Sequence, residues 1–327
     1  MRLNKSAVLR IAASCCAAFA SVFAANADAP PDWAYADTAK PELNALPPDD
    51  DGKIRTVPDT TVQLSIPQIR NFYSPPDWHP DDHPAMPPLA ANGVNPGIYA
   101  CGYCHLPTGN GRPENANIAG LPAAYIVQQV KDMASGARSS SLPKHFPQEL
   151  MLKLAGPAAN DPGLADAAAY FAAMKPRAVY KVVETETIPK VDIYRWVYRK
   201  LEGDSSEPIG NRLAELPDDV ERFENRDGRI TYTAYAPPGS ITKGEAIVRS
   251  ETDKAKSCPA CHGTDLKGLK DAPPIAGRSP GYLARQLYDF KSGARNGAHS
   301  ALMKPVAAAL TNDDLIAITA YLASLQP

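Results

Sequence analysis

The chain has 327 residues, 44% of them hydrophobic and 21% charged, a globular composition with more length than one ordinary domain uses; two modules and a connector are expected. Its 33 prolines are about twice the usual share and predict long irregular segments. A formal charge of −2 offers no basic field for nucleic acid or an anionic membrane, so neither is expected as a partner.

Residues 1–27 open the chain with a basic head (Arg2, Lys5, Arg10), an apolar run from Ile11 to Ala25 and the exit Ala25-Asn26-Ala27. This is a secretory signal, too short in its apolar body to span a bilayer, which places the mature chain from Asp28 in the periplasm. Cys15 and Cys16 sit inside the apolar body and lack the Leu-x-small context of a lipid-anchoring cysteine. Removing the signal takes away three cations and no acid, moving the formal charge from −2 to −5. No other segment reaches 18 apolar residues, so no membrane span is expected in the mature chain, although a partner could hold it at a membrane. Residues 28–96, including Pro75-Pro-Asp-Trp78-His79-Pro, are expected to form a Pro-rich extended arm over the next domain.

The four cysteines beyond the signal fall in two strings, Cys101-Gly-Tyr-Cys104-His105 and Cys258-Pro-Ala-Cys261-His262. Cys-x-x-Cys-His is the c-type haem attachment signal. On one helical turn two thiols three residues apart can each bond a haem vinyl group, and the next His points its imidazole at the iron. A zinc site of two Cys-x-x-Cys knuckles needs no His after each pair, and a redox dithiol wants a thioredoxin-like strand and helix that the pattern lacks. Two covalently bound haem c groups are expected.

Shifting the sequence by 157 residues superposes more than these strings. Ile118-Ala119-Gly120 falls on Ile275-Ala276-Gly277, Tyr125 on Tyr282, Gln129 on Gln286, Asp132 on Asp289 and Ser135-Gly136-Ala137-Arg138 on Ser292-Gly293-Ala294-Arg295. The helices after Tyr125 and Tyr282 each end at a Gly. The copies meet again in a closing helix around Tyr170 and Tyr321, the first carrying six extra residues in the intervening loop. Between the copies, alternation from Arg177 to Thr187 and from Arg229 to Tyr235 suggests short strands, with Asp227-Gly228 as a turn; the alternative is an irregular linker.

These motifs resemble the class I cytochromes c, and among them the tandem two-haem members. The resemblance covers roughly residues 97–174 and 241–326 and implies an all-α fold of two tandem cytochrome domains, 97–174 and 241–327, joined by the connector 175–240 with its small β element. It implies thioether bonds at Cys101, Cys104, Cys258 and Cys261 and proximal iron ligation by His105 and His262. Met303, in Ala301-Leu-Met303-Lys-Pro305 eight residues past Arg295, matches the distal Met. In the first copy, alignment back from the closing helix favours Met151, one residue off Leu152, with His145 as the alternative. Met133 pairs with Phe290 and is expected in the core; Met86, His79 and His83 lie in the arm. The family's proline before Leu/Ile-Ala-Gly is present as Pro273 or Pro274 in the second copy, whereas the first has Ala116-Asn117, an altered site.

Two functions are weighed. One is electron transfer, with redox proteins as partners: an exported dehydrogenase as donor and a terminal oxidase or another cytochrome as acceptor. The other is a di-haem oxidoreductase of peroxidase or sulfur-compound type with an open iron in the first domain, for which His145 and Glu149 are the available acid-base groups.

Overall fold

The computed structural model describes residues 30–36, 50–142, 144–250 and 257–327. The signal assigned to residues 1–27 lies outside them. Among the described residues no single helix is long and apolar enough to cross a membrane.

From residue 50 to 96 the arm is folded rather than extended. Ile54–Arg55 (β1) and Leu64–Ser65 (β2) pair antiparallel, and Ile66–Ile69 (α1) follows at once, started by the Ser65/Gln68 capping box and an early proline. Val57, Ile69 and Trp78 bury one another, and the Trp78 indole donates to Asn225 O at 2.7 Å. The prolines punctuate these turns, while burial of one large indole holds the arm in place. Pro88–Ala91 (α2) carries Leu89 and Ala90 into the core of the first helical unit.

That unit consists of Cys101–His105 (α3), Ala123–Ala134 (α4), Phe146–Ala159 (α5) and Leu164–Ala173 (α6), packed through Val130, Ala155, Leu164 and Phe171. Gly136, at φ +79°, ends α4 as the left-handed residue that a helix stop requires.

The connector departs from the all-α expectation. It holds Tyr180–Glu184 (β3), Thr187–Pro189 (β4), Val191–Tyr194 (β5), Val197–Lys200 (β6), Ser206–Pro208 (β7), Ala214–Pro217 (β8), Val220–Glu224 (α7) and Tyr232–Ala236 (β9). β3 and β9, the two strands suggested by alternation, pair in parallel from Tyr180↔Tyr232 to Glu184↔Ala236, and β8 joins β9 antiparallel. β4 with β7 and β5 with β6 form separate antiparallel pairs. Asp227-Gly228 opens a turn, closed by Ile230 N donating to Asp227 O at 3.2 Å, that leads from α7 into β9. These strands are three to five residues long, too short for sequence alternation to report five of them.

The second unit is Ser240–Val248 (α8), Pro259–His262 (α9), Pro280–Ser292 (α10), Ser300–Ala308 (α11) and Asn312–Ser324 (α12). α8 crosses α12 with backbones so close that a Cβ on Gly244 would lie 2.0 Å from Ala317 O. On its other side α12 packs Ile316 and Ala320 against Leu213 and Ala236 of the connector. The connector is therefore braced on the second unit. In the first unit, α2 and the arm stand where the second has the full helix α8.

Candidate functional site

Both Cys-x-x-Cys-His strings coil into a single turn, and the same loop follows each. Positive φ recurs at Leu106 and Gly263, Gly109 and Leu266, Gly111 and Gly268, every pair 157 residues apart. Gly111 N donates to His105 O and Gly268 N to His262 O, both at 2.9 Å. The loop then brings a carbonyl to the imidazole: His105 Nδ1 donates to Ala116 O at 2.8 Å and His262 Nδ1 to Pro273 O at 2.7 Å. Ala116 thus supplies the carbonyl in the copy that lacks the proline. A Cβ on Gly111 would lie 2.4 Å from that oxygen, so only glycine fits beneath it.

Burial lowers the pKa of both imidazoles, against a smaller opposing effect of their carbonyl partners, and keeps them neutral. A neutral ring that donates through Nδ1 presents a bare Nε2. Burial likewise pushes the Cys101 thiol up to about 12 and Cys258 to about 11, far from a reactive thiolate. Among the described residues no three His, Cys, Asp or Glu side chains converge as a zinc knuckle would need.

Cys101, Cys104 and His105 face a cavity of about 550 Å³ whose wall also carries Met151 and Met133. Met151 does not sit in a loop. The longer segment of the first copy makes α5 14 residues against nine in α11, and Met151 lies on its second turn. His145, the alternative distal ligand, is 1% exposed at the N-cap of α5, with Nδ1 bonded to Gln148 and its ring edge-on to Tyr35. It is not on the cavity wall, and Glu149 is exposed, so neither offered acid-base group reaches the chamber. Met303 is half-buried on the first turn of α11. His79 and His83 are engaged by Asp227 and Asp77, at 3.0 and 3.2 Å, and Met86 packs behind α3 against Gly102.

Two sets of residues on or beside the cavity wall have roles that sequence reasoning missed. The first is the connector, which roofs the chamber with Arg195, Trp196, Phe223 and Arg226. Arg195 and Trp196 turn the β5–β6 hairpin, both at positive φ, where Asn-Gly would be unstrained. Trp196 stacks on Phe146 with centroids 4.8 Å apart, and Arg195 pairs with Glu224 at 3.0 Å. Arg226 donates to Tyr103 O at 2.6 Å, inside the first string itself. No motif marked these residues.

The second set forms the seam between the units. Arg138 donates to Gln129 and Gln286 at 2.9 and 2.7 Å; Arg295 donates to Gln286 and Gln129 at 3.1 and 2.8 Å. Their backbones bridge as well, Ser139 N to Ala294 O and Asn296 N to Ala137 O, each at 2.7 Å. Both Gln and both Arg are repeat identities 157 residues apart, so the signal was present in the sequence without its meaning.

A family model described as cytochrome c matches residues 242–326. Cytochrome c4 of Azotobacter vinelandii is 27% identical over 233 residues, 69% of this chain and 84% of that protein. Cytochrome c-554(548) of Halomonas halodenitrificans is 41% identical over 73 residues, 22% of this chain and 88% of that protein. The chain belongs to the cytochrome c family. The thiosulfate dehydrogenase electron acceptor of Stutzerimonas stutzeri is also 41% identical over 73 residues, 22% of this chain and 32% of that protein. As a cytochrome c this protein acts in electron transfer and binds haem c covalently. The donor set on the cavity wall suits that group: two neutral thiols, an imidazole with one nitrogen committed to Ala116, and a thioether among apolar side chains.

Proposed function

We infer that this cytochrome is a periplasmic di-haem electron carrier, with one haem c in each helical unit. Cys101 and Cys104 hold the first and His105 and Met151 ligate it; Cys258, Cys261, His262 and Met303 do the same for the second. The observation that carries this is the duplicated loop: each Cys-x-x-Cys-His turn is followed, eleven residues past its histidine, by a carbonyl on Nδ1. The units proposed are 97–174 and 241–327, linked by 175–240.

When bound, the haem supplies an iron that changes oxidation state, and His and Met together leave no coordination position open. The chain's own part is to hold each imidazole neutral and oriented, to wall out water with apolar side chains such as Ile118, Leu154 and Phe171, and to fix the spacing of the two sites through the Arg–Gln seam. The donor is an exported dehydrogenase and the acceptor a terminal oxidase or another cytochrome. The name of the Stutzerimonas relative points to a sulfur-compound dehydrogenase as donor class.

Optical and magnetic circular dichroism spectra of the purified protein, oxidised and reduced, with and without carbon monoxide, test this. Two low-spin haems per chain, each with the far-red methionine-to-iron band and neither binding carbon monoxide, are expected. Carbon monoxide on half the haem would overturn Met151 as ligand and favour the oxidoreductase alternative.

A further inference from the structure

The loop that returns to each histidine is stiffened by different means in the two units. In the second, Pro273-Pro274 stand at the accepting carbonyl itself. In the first, the same stretch reads Glu114-Asn-Ala-Asn117 and has no proline. There Asn117 Oδ1 accepts from Ala119 N at 3.1 Å and Arg112 pairs with Glu114 at 3.0 Å within the unit, and further support comes from the other unit. Arg278, 2% exposed, donates through Nη1 to Asn117 O and Oδ1 at 3.1 and 2.6 Å and through Nη2 to Ala119 O at 3.0 Å. Arg285, 5% exposed, donates to Pro113 O at 2.6 Å. The brace runs one way, because the positions 157 residues earlier are Leu121, which cannot donate, and Gln128, which is spent on Asp132.

Both terminal nitrogens of the buried Arg278 guanidinium are matched by backbone or side-chain acceptors, which offsets part of the cost of burying it. Its grip on the Asn117 carbonyl and side chain fixes the Asn117 Cα, where the planar Ala116–Asn117 peptide that carries the accepting carbonyl ends. We propose that Arg278 is a positioning residue for the first haem, a side chain of the second unit that fixes the Ala116 carbonyl and, through it, the His105 imidazole. The first site is then complete only when the second unit is docked on it. This rests on His105 being an iron ligand, as proposed above.

The test uses the full haem-loaded chain with Arg278→Lys, which keeps the charge but cannot fork over three acceptors, and Asn117→Ala, which removes the side-chain acceptor and with it the bond from Ala119 N inside the loop. NMR reads the exchange of each histidine Nδ1–H, and a potentiometric titration reads the two haem potentials. Arg278→Lys is expected to speed His105 Nδ1–H exchange about tenfold, the scale of one hydrogen bond, and to leave His262 unchanged. The first haem's potential should rise, since a weaker Nδ1–H bond makes the imidazole a poorer donor to ferric iron. Asn117→Ala should give a smaller change of the same sign, and it decides the matter if Arg278→Lys fails to load haem. Equal changes at both histidines, or a lower melting temperature with exchange and potential unmoved, would reduce Arg278 to interface glue and overturn the proposal. A His105→Ala protein with both haems still low-spin would instead sink the ligand assignment.

Discussion

Residues 101–119 and 258–276 share three positive-φ positions and the same imidazole-to-carbonyl bond, yet they live in different surroundings. The first copy lies under a roof of connector residues and is gripped by two arginines of its neighbour. The second has an exposed Cys261, with Leu269 and Leu302 at 51% and 74% exposure on its loop and on α11. Duplication repeats the Cys-x-x-Cys-His turn and its loop because both are set by spacing within one short segment. It does not repeat the environment, which is set by whatever the rest of the chain packs around each copy.

The largest test of that comparison swaps one ligand at a time. Met151→Leu and Met303→Leu should each remove half of the methionine-to-iron band and open one haem to carbon monoxide, read by magnetic circular dichroism. His145→Ala should leave both bands intact and act on stability, since the ring is buried against Tyr35 and Gln148 away from the cavity. If His145→Ala removes the first haem's signal while Met151→Leu spares it, the two copies differ in ligand as well as setting.

Helix crossings offer a second contrast. A Cβ at Gly244 meets Ala317 O at 2.0 Å, backbone against backbone, whereas at Gly102 it meets Ala90 O at 2.9 Å. Gly244→Ala should cost ~3 kcal/mol or more and Gly102→Ala less. Calorimetry should show the first variant lowering the melting temperature of the second unit further than the other variant lowers that of the first.

The smallest effect concerns the brace between connector and second unit. Glu215 accepts from Ser279 Oγ at 2.8 Å and from Gly281 N at 2.6 Å at the start of α10, and burial raises its pKa from 4.5 to about 7. Below pH 4.5 the carboxyl is protonated folded or unfolded, and its contribution is whole. As pH rises the unfolded chain releases the proton first, so stability falls through pH 7 and flattens above it. The slope should not exceed ~1.4 kcal/mol per pH unit. Glu215→Gln should abolish it in urea melts taken across that range, and an unchanged slope would assign it to other groups.

How much was legible follows from where each signal resides. The attachment strings, the 157-residue repeat, α4, α10, the closing helices and Met151 as a candidate were all readable, because each depends on spacing within a few turns of one chain segment. Even the strands β3 and β9 could be placed, though not as parallel partners of each other. Pairings such as Tyr180 with Tyr232, Trp78 with Asn225, or Arg278 with Asn117 join residues from about fifty to more than a hundred and fifty positions apart and leave no periodicity in either segment. They were decided by tertiary packing alone, since apolar surface has to be buried and most buried donors have to find an acceptor, whichever part of the chain supplies it. The chemistry of the two sites was therefore written locally, while the difference between them was written only in the fold.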